Sequence, residues 1–309
     1  MGGRVGRWVP GVAEVATAAA VVWFISHRRS RLVRAWRPGG GEHRQAGSLS
    51  VRTAGTGAGP FVLLHGLTAS GDIFGTRYDQ LATQGRLLVP DLLGFGRSMD
   101  ERRSDYSLAA HLNALDRMVG SFEVEGSQLT VAGHSLGAVL ALHWASQRSD
   151  VSRVVCFSAP LYRSSIEADA RIRGMGWMER LFALEGPVAK ATCAWMCHHR
   201  SAAQWVATTL QPQWPVPIAR MGVRHTWRSY LAAMNGVIRH GGWEGALSGL
   251  EEAGVSVLLA NGAQDPVPVP GRAAELSATY RNIESVEHPT ADHELPISHP
   301  GWCVQVLTD

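Results

Sequence analysis

At 309 residues, with 45% apolar and 18% charged side chains, the chain has the make-up of a globular protein, with room for one large domain carrying an insertion or for two small ones. A net charge of +3, much of whose positive side falls in an Arg-rich N-terminal stretch, leaves no nucleic-acid footprint on the body. Four cysteines (Cys156, Cys193, Cys197 and Cys303) are too few and too irregularly spaced for a disulfide framework, and a reducing compartment is the simpler reading.

Residues 1–47 stand apart from the rest. Val9 to Ile25 is largely apolar and, as a helix, would reach about 26 Å at 1.5 Å per residue, slightly short of the ~30 Å hydrocarbon core of a bilayer. Pro10 and Glu14 weaken its first half. A basic run follows, Arg28, Arg29, Arg31, Arg34 and Arg37, interleaved with Leu32, Val33 and Trp36. A spanning helix with that flank would keep the body on the cytoplasmic side, and one lying flat would favour an anionic surface. Membrane association through residues 9–37 is the expectation. The alternatives are a helix packed on the body or a start codon placed too early; a cleaved signal peptide fits less well, because most of the apolar stretch lies beyond Ala16-Thr-Ala18. Pro38-Gly-Gly-Gly41 reads as a flexible link.

The body then alternates strand and helix. Leu49, Val51 and Thr53 alternate as a first strand, and Phe61-Val-Leu-Leu64 is a buried-strand pattern leading into His65-Gly66. Asp72 to Leu81 reads as a helix, Leu87 to Asp91 as a strand, and Asp91-Leu-Leu-Gly-Phe-Gly-Arg-Ser98 as a glycine-rich loop whose Asp91 bonds local backbone. An amphipathic helix spans Leu108 to Met118, and Val151 to Pro160 forms a further strand. Residues 161–240 break the rhythm and are rich in Trp, Met and Arg; prolines at 212, 215 and 217 forbid one continuous helix there. Val255 to Ala260 resumes the strands, and Ile283 to His288 is the last of them.

The chemistry centres on Gly133-His134-Ser135-Leu136-Gly137, between the short apolar strand of Leu129, Val131 and Ala132 and a helical run from Ala138 to Trp144. A serine on so sharp a strand-to-helix turn is lifted out of the sheet, and glycines two residues either side let the backbones approach. Asp265 follows the strand at 255–260, and His293 lies in the loop after the last strand; His288 ends that strand and His299 precedes Pro300 at a helix start, so His293 is the candidate base. The chain order is serine, acid, histidine. Cys193-x-x-x-Cys197-His198-His199 has zinc-like spacing but no second ligand pair nearby, and buried thiols are the reading adopted.

Taken with His65-Gly66, the loop at 91–98 and His293-x-Leu-Pro-x-x-His-Pro300, these landmarks make the sequence resemble the α/β-hydrolase superfamily over roughly residues 48–309. The resemblance implies an α/β fold with a mostly parallel central sheet flanked by helices, a core of residues 48–160 and 241–309, and a helical cap at 161–240 inserted after strand 6. Some members place the acid after strand 6, where Ser158-Ala159-Pro160 offers no carboxylate in this chain, so the resemblance implies the acid's role for Asp265. It implies an oxyanion hole from the backbone N–H groups of Leu67 and Leu136. His65, Phe95, His134 and Trp227 are the candidate substrate-binding residues, although a loop brace and a core position are the competing readings for His65 and Phe95. A serine nucleophile argues against the haloalkane dehalogenases and epoxide hydrolases of this fold, which use aspartate. The expected activity is hydrolysis of an apolar ester, lipid ester or thioester through an acyl-enzyme, with neither metal nor organic cofactor. A C–C bond hydrolase with the same triad, and a receptor-like binder with little turnover, are the alternatives.

Overall fold

The computed structural model describes residues 36–57, 59–122, 124, 127–175, 186–211, 214–239 and 242–309. The apolar stretch at 9–25 and its basic flank up to residue 35 lie outside the described residues. Eight strands are formed: β1 (Glu42–Ala46), β2 (Leu49–Ala54), β3 (Phe61–Leu64), β4 (Leu87–Pro90), β5 (Leu129–His134), β6 (Val151–Phe157), β7 (Ser256–Gly262) and β8 (Ile283–His288). They make one sheet in the order β1-β2-β4-β3-β5-β6-β7-β8. The pairs β1/β2 and β2/β4 are antiparallel and all the others parallel.

Parallel strands covered on both faces should be apolar throughout, and β3 and β4 are buried at every residue. Alternate side chains feed two separate cores. Val62, Leu64, Val131, Val154 and Leu259 point into one, and Phe61, Leu63, Ala132, Val155 and Leu258 into the other. The first core holds the helix Leu136–Ala145 (α2), in which every residue is buried; it packs against Leu108–Ser121 (α1) on one side and Trp243–Glu252 on the other. A helix apolar all round is stable only when so enclosed. The edge strand β8 is mostly exposed.

Between β6 and the helix Trp243–Glu252 the chain leaves the sheet. It forms α3 (Ser165–Arg173), α4 (Pro187–His198), α5 (Arg200–Leu210), α6 (Val216–Gly222) and α7 (Trp227–Ala233), which continues as a π-helical turn over Met234–Arg239. The chain then returns through α8 (Trp243–Glu252), α9 (Arg272–Thr279), α10 (Leu295–Ser298) and α11 (Pro300–Thr308). No helix among the described residues is long and apolar enough to cross a membrane.

Two local expectations need correction. Residues 42–46, read as part of the linker, are strand β1, and 36–41 are tied to the body rather than free. The Trp36 indole donates to Asp72 O at 3.1 Å, Thr76 N–H donates to Arg37 O at 3.0 Å, and Gly40 N–H donates to Asp79 Oδ2 at 2.7 Å. The expected helix at Asp72–Leu81 is two 3-10 stretches, Gly71–Ile73 and Thr76–Thr83. Gly75 separates them, passing so near the 36–41 strap that a Cβ there would lie 2.5 Å from Arg37 O.

Candidate active site

Ser135 sits at the junction of β5 and α2 with φ 53° and ψ −117°, a region that L-residues occupy at a cost of about 1–3 kcal/mol. The turn holds because its surroundings leave no alternative. Ser135 N–H donates to Phe157 O at 2.9 Å. A Cβ on Gly133 would lie 2.1 Å from Gly137 O, and one on Gly137 would lie 2.3 Å from Leu64 O. Only glycine fits at either place, which is the close approach that the sequence pattern implies. Ser135 is 7% exposed, at the N-terminal end of α2, where unpaired N–H groups give a positive potential.

The loop after β3 runs alongside. A Cβ on Gly66 would come within 3.2 Å of Ser135 Cβ, so this loop and the elbow are in contact. Neither the Leu67 nor the Leu136 N–H is taken by a hydrogen bond among the described residues. His65 is fully buried: Leu92 N–H donates to its Nε2 at 2.8 Å, and its Nδ1 donates to Gly66 O at 2.7 Å. Both ring nitrogens are therefore spent on bracing loops. Asp91 does the same for the next loop, accepting from Gly71 N–H and Arg97 N–H, each at 2.7 Å.

Asp265 follows β7, and His293 lies in the loop after β8. The His293 Nδ1–H is shared between Asp265 Oδ1 and Oδ2, 3.1 Å from each, and Val267 N–H donates to Oδ1 at 2.8 Å. The Asp265 side chain is 0% exposed and that of His293 26%. Burial alone would push the Asp265 carboxyl up. The hydrogen bond and charge of His293, with help from Ser158 and Val267, reverse this and hold it below the usual aspartate value. Burial likewise works against a charged His293, yet Asp265, with Glu294 and Asp292 behind it, carries the imidazole above the ordinary histidine value.

His134 links this pair to the elbow. Its Nε2–H donates to His293 O at 2.8 Å, and the two ring centroids are 4.8 Å apart. Burial, reinforced by the His293 charge, pushes its pKa down to about 3, so the ring is neutral. The structure thus brings together Asp265 and His293 directly, and Ser135 through its neighbour His134. It does not join the Ser135 hydroxyl to His293 by a hydrogen bond, a contact that often tightens only once substrate is bound.

The remaining candidates lie along a row of rings. Phe95 is fully buried between His65 and His225, 6.2 Å from each centroid to centroid; His225 lies 5.8 Å from Tyr230, on which Trp227 stacks at 5.7 Å. Burial depresses His225 to about 4. Phe95 is therefore a connector between the loop after β3 and the segment just before α7. Trp227, partly buried, is at the outer end of the row. Cys193 is buried, with its thiol pushed up to about 12, and Cys197 Sγ approaches His225 O at 3.5 Å.

Two features were not read from the sequence. Ser158, at the end of β6, is fully buried with φ 53°; its hydroxyl has no well-formed hydrogen bond, yet it lies near enough to Asp265 to favour the charged carboxylate. Glu294 is pushed up to about 7, first by burial and then by Asp292, which places a carboxyl of raised pKa beside His293. Proximity in space made both, and only the Asp-His-Glu run at 292–294 hinted at the second.

An elbow serine with a buried aspartate–histidine pair at the carboxyl edge of a mostly parallel sheet is the site layout of an α/β hydrolase. The chain belongs to the alpha/beta hydrolase family, whose model matches residues 61–306. It is 27% identical to the probable lysophospholipase BODYGUARD 4 of Arabidopsis thaliana over 239 residues, which cover 70% of this chain and 54% of that one. An uncharacterized protein of Mycobacterium tuberculosis is 36% identical over 105 residues, covering 33% of this chain and 30% of its own. The chain thus spans about half, or less, of the length of these two relatives. Among solved structures, an esterase from Exiguobacterium antarcticum superposes with a TM-score of 0.63 at 19% identity, covering 87% of this chain and 98% of that one, a likeness of fold.

Proposed function

We propose that the chain is a serine hydrolase that cleaves a carboxylic ester or thioester of an apolar acyl group through an acyl-enzyme. The observation that carries this reading is the buried Asp265–His293 pair held, through His134, against the elbow that presents Ser135. An unassisted serine hydroxyl is a weak nucleophile at neutral pH. In this reading His293 Nε2 takes its proton as Oγ attacks the carbonyl carbon, and Asp265 steadies the imidazolium that results. The oxyanion of the tetrahedral intermediate accepts from the Leu67 and Leu136 N–H groups, each typically worth ~3 kcal/mol in the transition state. His293 then gives the proton to the departing alcohol or thiol. It finally activates the water that releases the acid and restores the serine.

The lysophospholipase name of the Arabidopsis relative and the esterase of like fold favour esters over other bonds. Residues 161–240 act as a cap over the site, and residues 9–37 attach the body to a membrane, the body facing the cytoplasm; Trp36 and Arg37, at the end of that stretch, also hydrogen-bond to the body. The test of the proposed reaction is turnover on esters and thioesters of graded acyl length. We expect hydrolysis that rises with chain length to an optimum and is absent in Ser135→Ala. Stoichiometric labelling by a fluorophosphonate with no turnover on any ester would support a binding protein instead.

A further inference from the structure

Five of the seven large apolar side chains that stand exposed among the described residues lie on three consecutive helices of the cap. They are Val188 and Trp195 on α4, Trp205 and Leu210 on α5, and Val216 on α6. Trp205 and Leu210 are each 67% exposed and Trp195 43%. Exposed apolar side chains scattered singly need no explanation; two tryptophans and a leucine on adjoining helices form a concentration that a soluble surface does not need. The neighbours are short of carboxylates. From Gly186 to Trp243 the sequence contains no Asp or Glu, but it contains Lys190, Arg200, Arg220, Arg224, Arg228 and Arg239. Arg200 and Arg239 are neutralised by Glu101 and Asp169 from outside the stretch. Lys190, Arg220 and Arg228 are exposed and form no ion pair among the described residues.

Amphipathic tryptophan with leucine and uncompensated cations suits the headgroup region of an anionic bilayer: the rings insert at the boundary and the cations meet lipid phosphates. A second copy would set cation against cation. The face also lies at the right end of the molecule. α6 leans on the loop after β3, where a Cβ on Gly222 would lie 2.9 Å from Thr68 O, one residue beyond Leu67.

We propose that the α4–α6 face of the cap docks on an anionic lipid bilayer, with Trp195, Trp205 and Leu210 entering the headgroup layer and Lys190 and Arg220 at lipid phosphates. The Ser135 site then faces the membrane, whichever bond it cuts. This surface is distinct from residues 9–37, and an experiment must separate the two. The full chain, with Cys197→Ser to remove its partly exposed thiol, would carry an environment-sensitive dye at Leu210→Cys or, as a control, at the exposed position Gln305→Cys on α11. Binding would be measured to vesicles of phosphatidylcholine with phosphatidylglycerol, and to phosphatidylcholine alone. We expect a blue shift at position 210 and none at 305, seen with the anionic vesicles. Trp205→Ser/Leu210→Ser should weaken vesicle binding about tenfold, and Lys190→Glu/Arg220→Glu should remove the preference for anionic lipid. Ester turnover in free solution should be unchanged in both. A chain that sediments with vesicles while the dye at 210 is unaltered would overturn the proposal in favour of the N-terminal segment. Failure to bind anionic vesicles, or a change only in oligomeric state on gel filtration, would overturn it as well.

Discussion

In the proposed mechanism His293 has to be neutral to take a proton from Ser135 and must then carry that proton as a cation, so its acidity would decide the pH range over which the site works. Asp265 raises the imidazole above its ordinary value through both a hydrogen bond and its charge. The rate should therefore fall as pH drops through that raised value. In Asp265→Asn both supports are lost, so the acid limb of kcat/KM should move to lower pH while the plateau falls by orders of magnitude. A limb that stays in place, measured on the same ester, would separate Asp265 from the base. The place of His293 in the loop after the last strand was legible in the sequence, and it is found there beside Asp265. The environment that tunes it was not legible. Ser158 comes from the end of β6 and Asp265 follows β7, more than a hundred residues later in the chain; no periodicity joins them. His134 was read as a substrate contact on its place beside the serine, and the structure shows its Nε2 occupied by His293 O.

At the scale of elements, the elbow depends on backbones touching where side chains would clash. Gly137→Ala would drive a methyl to 2.3 Å from Leu64 O, a backbone atom that cannot swing away. We expect it to lose activity and about 3 kcal/mol or more of stability, as an overpacked core with strained backbone does. Gly245→Ala is the control: it lies in α8 with open space around the added methyl, and should gain about 0.5–1 kcal/mol from helix propensity. Urea titration of both variants measures the contrast, and equal effects would remove the steric account. Strands β3 and β5 and helix α2 were legible because enclosure on both sides demands unbroken apolar runs. Strand β1 was not, because Glu-His-Arg-Gln-Ala presents no alternation; four of its five residues are exposed, and only its pairing with β2 makes it a strand.

For the whole molecule, three buried histidines couple folding to pH. His111, His134 and His225 are all driven down by burial, to about 4, about 3 and about 4. Folded values below the unfolded one mean that the unfolded chain binds more protons, so stability is full above about pH 6.5 and is lost as pH falls towards the folded values. By about pH 5 each should cost about 2 kcal/mol, a large share of a typical folding free energy of about 5–15 kcal/mol. The melting temperature should drop steeply between about pH 7 and 5, and His225→Gln should blunt that drop. An unchanged acid slope in this variant would mean that His225 is protonated in the native state. The break in strand–helix alternation at 161–240 was visible in the sequence, whereas the path of the helices there depends on contacts such as Phe95 with His225 that join distant segments.

The central claim is that Ser135 is the nucleophile and His293 its base, and it is tested most directly by a fluorophosphonate probe followed by peptide mass spectrometry. The account predicts one adduct per chain, on the peptide containing Ser135. It should be absent in Ser135→Ala and slowed by several orders of magnitude in His293→Gln. It should form at a near-normal rate in His288→Gln and His299→Gln, whose rings lie against each other, tilted, at 4.1 Å. An adduct on another residue, ester turnover that survives Ser135→Ala, or normal labelling of His293→Gln beside a silent His288 or His299 variant would contradict it.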